Sequence, residues 1–171
     1  LGASAFNAAA CARIFEVKRR PADKPLLCHL FSLEQAEEIA YLTDEARALL
    51  RRYTPGPLTL VLKKKPCVPD VVSAGGDTVG LRFPANPVCR AFLRACGCPV
   101  AAPSANLSSQ PSPVTASPVI DAFYGAIDAV LDGGKTAIGT PSTILSLAGE
   151  RPELIRAGAL PESELKALLG L

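Results

Sequence analysis

Pro99-Val100-Ala101-Ala102-Pro103-Ser104-Ala105-Asn106-Leu107-Ser108-Ser109-Gln110-Pro111-Ser112 is the stretch that decides how the rest of the chain is read. Its apolar start, Pro99 to Ala102, is long enough for one buried strand. Hydroxyl and amide side chains follow at once: Ser104, Asn106, Ser108, Ser109 and Gln110. Polar groups gathered at the carboxyl end of a strand are the mark of an open α/β sheet, which binds ligands there. The stretch carries no charge, so it offers hydrogen bonds rather than ion pairs. It suits a phosphate, ribose or amino-acid ligand whose charge is met by cations from elsewhere.

Working outward, strands and helices alternate, though not strictly. Asn7 caps a helix over residues 8–18, and Pro21 and Pro25 end it. Residues 26–30 read as a buried strand. Ser32 and Gln35 form a capping box for a helix over 33–41, and Thr43 caps another over 44–53. Pro55-Gly56-Pro57 is a turn. Strands are expected over 58–62, 78–83, 99–102, 127–131, 143–147 and 153–156, and helices over 87–95, 117–124 and 161–169. Two strand pairs, 58–62 with 78–83 and 143–147 with 153–156, lie close enough in sequence to be antiparallel. The expectation is a single-domain α/β fold, a twisted mixed sheet with helices on both faces. The loop from Pro66 to Asp77 is long enough to serve as a mobile flap.

Composition bounds the rest. At 171 residues with 49% hydrophobic and 20% charged, the chain is a folded domain and not a disordered tail. A net charge of +2 does not by itself name a nucleic-acid partner. The six cysteines have no metal spacing and read as reduced, small apolar residues of a cytoplasmic protein. No signal peptide and no apolar run of about 18 residues is present, so no membrane is expected. There is no Met, so the chain is expected to lack the start of its parent protein.

Several residues invite chemistry. Lys18-Arg19-Arg20-Pro21 ends the first helix; it makes either a polyphosphate clamp or a solvated helix terminus. In Thr78-Val79-Gly80-Leu81-Arg82-Phe83, alternation puts Thr78, Gly80 and Arg82 on one face. A cation there needs an anion, from a structural carboxylate or from a substrate. Ser142 and Thr143 start one strand, and Arg156 ends another. His29, the single histidine, reads as partly buried. No nucleophile–base arrangement, Walker loop or dinucleotide fingerprint is present, and no metal ligands are assigned. Asp77 and Asp132 are the best-placed carboxylates. Cations, hydroxyls and amides without a nucleophile suit positioning and charge stabilisation in phosphoryl or nucleotidyl transfer.

Taken together, the segments at 14–21, 24–26, 54–61, 79–84, 102–106, 141–144 and 155–158 resemble the YrdC-like threonylcarbamoyl-adenylate synthase family in order and spacing. The resemblance implies a large concave basic cavity. It also implies an activity: L-threonine, bicarbonate or CO2, and ATP give threonylcarbamoyl-adenylate and pyrophosphate. The product serves N6-threonylcarbamoyl modification of adenosine in tRNA, through a downstream tRNA threonylcarbamoyl transferase complex. By the same resemblance, Lys18 and Arg20 hold the ATP phosphates with Mg2+. Thr78, Ser104, Asn106, Ser112 and Arg156 complete the nucleotide site, while Arg82, Ser142 and His29 meet threonine. Of the family's opening strand and its Pro-Thr-x-Thr-x-Tyr-Gly motif, only Leu1-Gly2 remains.

Two alternatives belong to other classes. One is a non-catalytic module binding double-stranded RNA or tRNA, to which Arg51, Arg52 and Lys63 to Lys65 would contribute; the low aromatic content argues against it. The other is a carbamoyl-adenylate domain of a hydrogenase-maturation protein, whose zinc-finger and acylphosphatase segments are not seen.

Overall fold

The computed structural model describes residues 1–169. Asn7 caps the first helix, its side chain accepting from the Ala10 amide at 3.0 Å. The strands are β1 (Ala3–Ser4), β2 (Leu27–His29), β3 (Leu58–Lys63), β4 (Thr78–Arg82), β5 (Val100–Ala102), β6 (Thr143–Ser146) and β7 (Glu153–Arg156). The helices are α1 (Ala8–Lys18), α2 (Leu33–Ile39), α3 (Asp44–Tyr53), α4 (Asp70–Ser73), α5 (Pro87–Cys96), α6 (Ser117–Phe123) and α7 (Glu162–Leu169). The strands form one mixed sheet in the order β1-β5-β2-β4-β3-β6-β7. β2–β4 and β3–β6 are parallel, and the other pairs are antiparallel. Both hairpins expected from the sequence are present.

Two neighbouring rows of the register explain the fold's polarity. Ala3, Ala101, Cys28, Leu81, Leu60, Leu145 and Leu154 lie side by side across all seven strands. Paired residues share a face, so this row is one apolar stripe. It joins the main core with Ile14 and Phe15 of α1, Ile39 of α2, Leu49 and Leu50 of α3, and Val72 of α4. Each fully buried leucine contributes about 1.5–3 kcal/mol. The next row, on the opposite face, reads Ser4, Val100, His29, Arg82, Thr59, Ile144 and Arg156. It is mostly polar. At the β5 end that face is covered too: Val100, Leu93 of α5 and Phe123 of α6 are buried outside the main core cluster. Helices therefore pack on both faces.

Four local expectations fail, each for a physical reason. Ser32 makes no side-chain cap, and Gln35 accepts from the Phe31 amide at 2.8 Å rather than from that of Ser32, so the capping box does not form. α2 stops at Ile39, because Ala40 turns extended and bridges to Lys64. Residues 127–131 form no strand. Arg13 binds the Ala126 carbonyl and Asp128, and Val130 and Leu131 stay exposed. The 66–77 segment is not a free flap: it contains α4, buries Val68 and Val72, and is tied by Lys64 to the Val68 carbonyl and Asp70. Of the six cysteines only Cys11 and Cys28 are buried, and burial pushes the Cys28 thiol up to about 12.

The exit of β7 is strapped to the entrance of β6. Ala159 donates to the Pro141 carbonyl at 3.0 Å, and the Thr143 hydroxyl accepts from Leu160 N and donates to Leu160 O. Gly158 makes this approach possible. A Cβ there would lie 2.4 Å from the Ser142 carbonyl carbon and 2.5 Å from Pro141 O and Thr143 N. Backbone cannot step aside as a side chain can. Gly158→Ala is therefore expected to destabilise the chain by about 1–3 kcal/mol or more, read as a lowered Tm. At Gly80 the nearest obstacle is the Leu27 Cδ2 side-chain tip, so Gly80→Ala should cost less.

Candidate active site

The sheet register sorts the candidate residues into two groups. The first gathers where α1 ends. There the chain turns through a Schellman motif: Arg20 N bonds Phe15 O, Arg19 N bonds Glu16 O, and Arg19 takes the left-handed conformation (φ 51°) usually left to glycine. The turn sends Lys18 inward and lets Arg20 fold over the following loop. Lys18 is 1% exposed. Its ammonium donates to the carbonyls of Ser104 and Asn106, and its own carbonyl accepts from Ser108 N. Lys18 is thus the post around which the 104–108 loop winds. Two of its roughly three N–H donors are committed to that loop. Burial first, and Arg20 second, lower its pKa to about 8.

Arg20 donates to the carbonyls of Lys24 (3.3 Å) and Pro25 (3.0 Å), and burial lowers its pKa. Ser104 is exposed. The Asn106 amide nitrogen donates to Leu107 O and Gln110 O, both at 2.8 Å, which fixes the orientation of the amide. Its Oδ1 is buried and accepts nothing. Thr78 belongs to this end: Ala102 pairs with Leu27 and Leu27 with Gly80, so β5 leaves the sheet toward the start of β4. Ser112 lies in an exposed stretch, with no structural partner placing it beside these residues.

The second group lies on the polar row, about 13 Å along β4 from Thr78. His29 and Arg82 are register partners, as are Arg82 and Thr59. Thr59 Oγ1 and Ser142 Oγ are 2.8 Å apart, and both residues are fully buried. Arg156 caps the pair, donating to Ser142 O at 2.7 and 3.2 Å and to Ser142 Oγ at 3.3 Å. Arg156 therefore stands with Arg82 and Ser142. Thr59 was not singled out from the sequence. Its signal was a hydroxyl inside an apolar strand, a group that needs a partner once buried.

The electrostatics of this end are unbalanced. Burial and the nearby Arg156 lower the Arg82 pKa, while Cys89 of α5 raises it slightly. Burial and Arg82 push His29 down to about 4, so its ring is neutral at physiological pH. Arg82 Nε and His29 Nδ1 are both buried without a hydrogen-bond partner. Native structures rarely leave such groups unpaired, since each costs about 1–3 kcal/mol. Two cations, a neutral imidazole and a hydroxyl pair are arranged to receive an anion carrying polar groups.

The depressed His29 pKa has a measurable consequence. Between pH 6.5 and 4 the unfolded chain binds a proton at His29 that the folded chain refuses. Stability then rises with pH across that window and is flat in this respect outside it. His29→Gln should flatten the slope and recover about 2–3 kcal/mol at pH 4 relative to the parent chain, read by denaturant titration at several pH values.

Asp23 lies close enough to Arg20 to oppose the lowering of its pKa, and no carboxylate pairs with the second group among the described residues. Asp77 pairs with Lys63, and Asp132 accepts from the Gly134 amide at 2.8 Å. Among the described residues no cluster of three His, Cys, Asp or Glu could hold a metal. No described helix is long and apolar enough to cross a membrane. Two shallow depressions share Phe31 and Arg90; the first adds Arg51, Thr54 and Phe83, the second Pro87 and Arg94.

The chain is similar to several known proteins. The chain is 46% identical over 171 residues to a threonylcarbamoyl-AMP synthase of Pyrococcus abyssi, covering 99% of this chain and 50% of that protein. It is 34% identical over 165 residues to a putative threonylcarbamoyl-AMP synthase of Methanocaldococcus jannaschii, covering 96% and 77%. A crystal structure of P. abyssi Sua5 complexed with L-threonine superposes with a TM-score of 0.96 at 46% identity, over 99% of this chain and 50% of that one. The chain thus spans about half the length of the P. abyssi relative. The family model for Sua5, YciO and YrdC, described as "Telomere recombination", matches residues 1–158. The chain belongs to the Sua5/YciO/YrdC family.

Proposed function

We propose that the chain forms threonylcarbamoyl-adenylate: L-threonine, bicarbonate or CO2, and ATP enter, and threonylcarbamoyl-adenylate and pyrophosphate leave. The observation that carries this reading is the pair of buried, unpartnered nitrogens, Arg82 Nε and His29 Nδ1, beside the Thr59–Ser142 hydroxyls. The P. abyssi relative's complex with L-threonine supports it.

In this reading the polar row is the amino-acid end. The threonine carboxylate lies against Arg82, with Ser142 donating beside it. His29, neutral, accepts or donates a hydrogen bond without adding charge. The Lys18 group is the nucleotide end. Arg20 and the free N–H of Lys18 face the phosphates, Ser104 and Thr78 line the nucleotide, and Asn106 Oδ1 accepts a hydrogen bond from it; Ser112 is carried as a further nucleotide contact. Arg156 serves both ends, holding Ser142 while facing the adenylate. The two ends form the walls of the concave basic cavity. The carbamate formed on the threonine amine attacks the α-phosphorus, the bond to the β-phosphate oxygen breaks, and pyrophosphate leaves. Every participant is anionic, so cations placed in advance stabilise the charge that develops. ATP is the substrate. The product passes to a tRNA threonylcarbamoyl transferase complex in the cytoplasm.

Incubation with ATP, labelled bicarbonate and L-threonine tests this. Pyrophosphate release that depends on threonine supports it, and release indifferent to threonine overturns it. One observation favours the RNA-binding alternative: Phe31 is flanked by the guanidinium groups of Arg90 (5.2 Å) and Arg94 (4.5 Å), with Arg51 nearby. Salt-sensitive binding of a tRNA without adenylate formation would select it.

A further inference from the structure

The two shallow depressions are halves of one groove, because Phe31 and Arg90 line both. One wall is α5. Pro87, Arg90, Ala91 and Arg94 stand at i, i+3, i+4 and i+7, a single stripe of that helix, and Ala91 is the small residue that leaves the dip. The other wall is the end of α3, with Arg51. Leu33, Pro55 and Phe83 make the first half apolar. The halves hold about 160 and 290 Å³, below the roughly 300–1,000 Å³ of small-molecule pockets. They suit side chains of a segment lying across the surface, not an enclosed small molecule.

Three arginines rim the groove: Arg51, Arg90 and Arg94. Among the described residues none of them makes an ion pair; the ion pairs use Arg13, Arg47, Lys63 and Lys64. Glu34, on the turn after Phe31, is engaged by Ser32. The guanidinium groups of Arg90 and Arg94 stand over the Phe31 ring at 5.2 and 4.5 Å. Stacking fixes their planes and leaves their N–H edges for carboxylates, which they meet in pairs. A nucleic-acid base would stack on the ring itself, where the guanidinium groups already stand. Phosphates would use the arginines and leave the apolar floor bare. An apolar side chain flanked by carboxylates uses both. We propose that this groove docks an acidic protein segment, with carboxylates on Arg51, Arg90 and Arg94 and an apolar anchor in the dip at Ala91. The inference goes beyond the proposed reaction and does not depend on it.

Fluorescence anisotropy with three labelled peptides and the full chain tests it. The first is Glu-Asp-Glu-Phe-Glu-Asp-Glu, the second has alanine at its centre, and the third has glutamine and asparagine for the acids. The first should bind saturably at low salt, the second about tenfold more weakly for want of its anchor, and the third not measurably. Arg94→Glu should weaken the first about tenfold or more, since repulsion replaces a pair. Arg94 is exposed and lies outside both groups of site residues, so threonine-dependent pyrophosphate release and the Tm should stay at the parent values. Ala91→Trp, which fills the dip, should bring the phenylalanine peptide down to the level of the alanine one. Equal binding of these two peptides to the parent chain makes the groove a general polyanion surface and overturns the inference. So does a lack of saturable binding by the first peptide. A tRNA that binds the parent, is lost in Arg94→Glu and is not displaced by the first peptide overturns it in favour of a nucleic-acid surface.

Discussion

Lys18→Met is expected to lower the rate of threonine-dependent pyrophosphate release by about two orders of magnitude, the typical cost of losing one preorganised charge stabiliser. The methionine fills nearly the same volume but donates nothing. The carbonyls of Ser104 and Asn106 lose their shared donor, and the 104–108 loop loses the post it winds around. Two effects then coincide: a phosphate contact disappears, and Ser104 and Asn106 drift from their places. Stability should fall by about 1–3 kcal/mol, because two partly buried carbonyls lose their shared charged donor. Lys18→Arg separates the two effects. It keeps the charge, but a planar fork cannot enter a niche shaped for a point cation, so it should rescue little of the rate. A variant that released pyrophosphate at the parent rate would show that the Lys18 end is not the phosphate end.

Arg82→Met is expected to act in opposite directions on function and on stability. The threonine kcat/KM should fall by about a hundredfold or more, the value of charge-assisted hydrogen bonds to a carboxylate, with the KM for ATP little changed. The ligand-free chain should become more stable. In the parent, Arg82 is a partly buried cation near a second cation, Arg156, with an unpaired Nε. An apolar side chain of similar length removes the repulsion and the unmet donor. The sign is diagnostic. A guanidinium that held the fold together through a structural carboxylate would cost stability when removed. One kept for a ligand gives stability back and takes stabilisation by L-threonine away. Thermal melts of both proteins, with and without threonine, measure both halves.

The elements were legible where local rules decide them. Asn7 and Thr43 cap their helices as their side chains dictate, the prolines bound α1, and the alternation in 78–82 put Thr78, Gly80 and Arg82 on one face. The misses came where tertiary context wins. The run 127–131 had a strand's composition but pairs with no strand, and Arg13 binds the Ala126 carbonyl and Asp128 at its start. Ala3–Ser4 and Asp70–Ser73 are too short to show a period, and pairing with β5 and the burial of Val72 create them.

The candidate site was legible as a set of residues and not as an arrangement. Nothing local says that His29, Arg82, Thr59 and Arg156 stand in one row, because that is set by register among strands far apart in sequence. Lys18 read as a phosphate clamp from its position at a helix end. Its burial under two loop carbonyls, which makes it an anchor as well, depends on a loop 86 residues away. Arg156 read as a nucleotide contact, and nothing local foretold that it also holds Ser142, next to which the Gly158 strap brings it.

The single histidine offers the most direct check. His29 stands beside Arg82 in the row assigned to the amino acid, so its ring signals in a proton–nitrogen NMR spectrum report on that row alone. In the free chain the ring should titrate at about 4, held down by burial and by Arg82. Addition of L-threonine should shift the ring signals saturably at neutral pH. Ring signals indifferent to L-threonine, or a ring that titrates at its ordinary value of 6.5, would contradict the placement of the amino-acid end on this row.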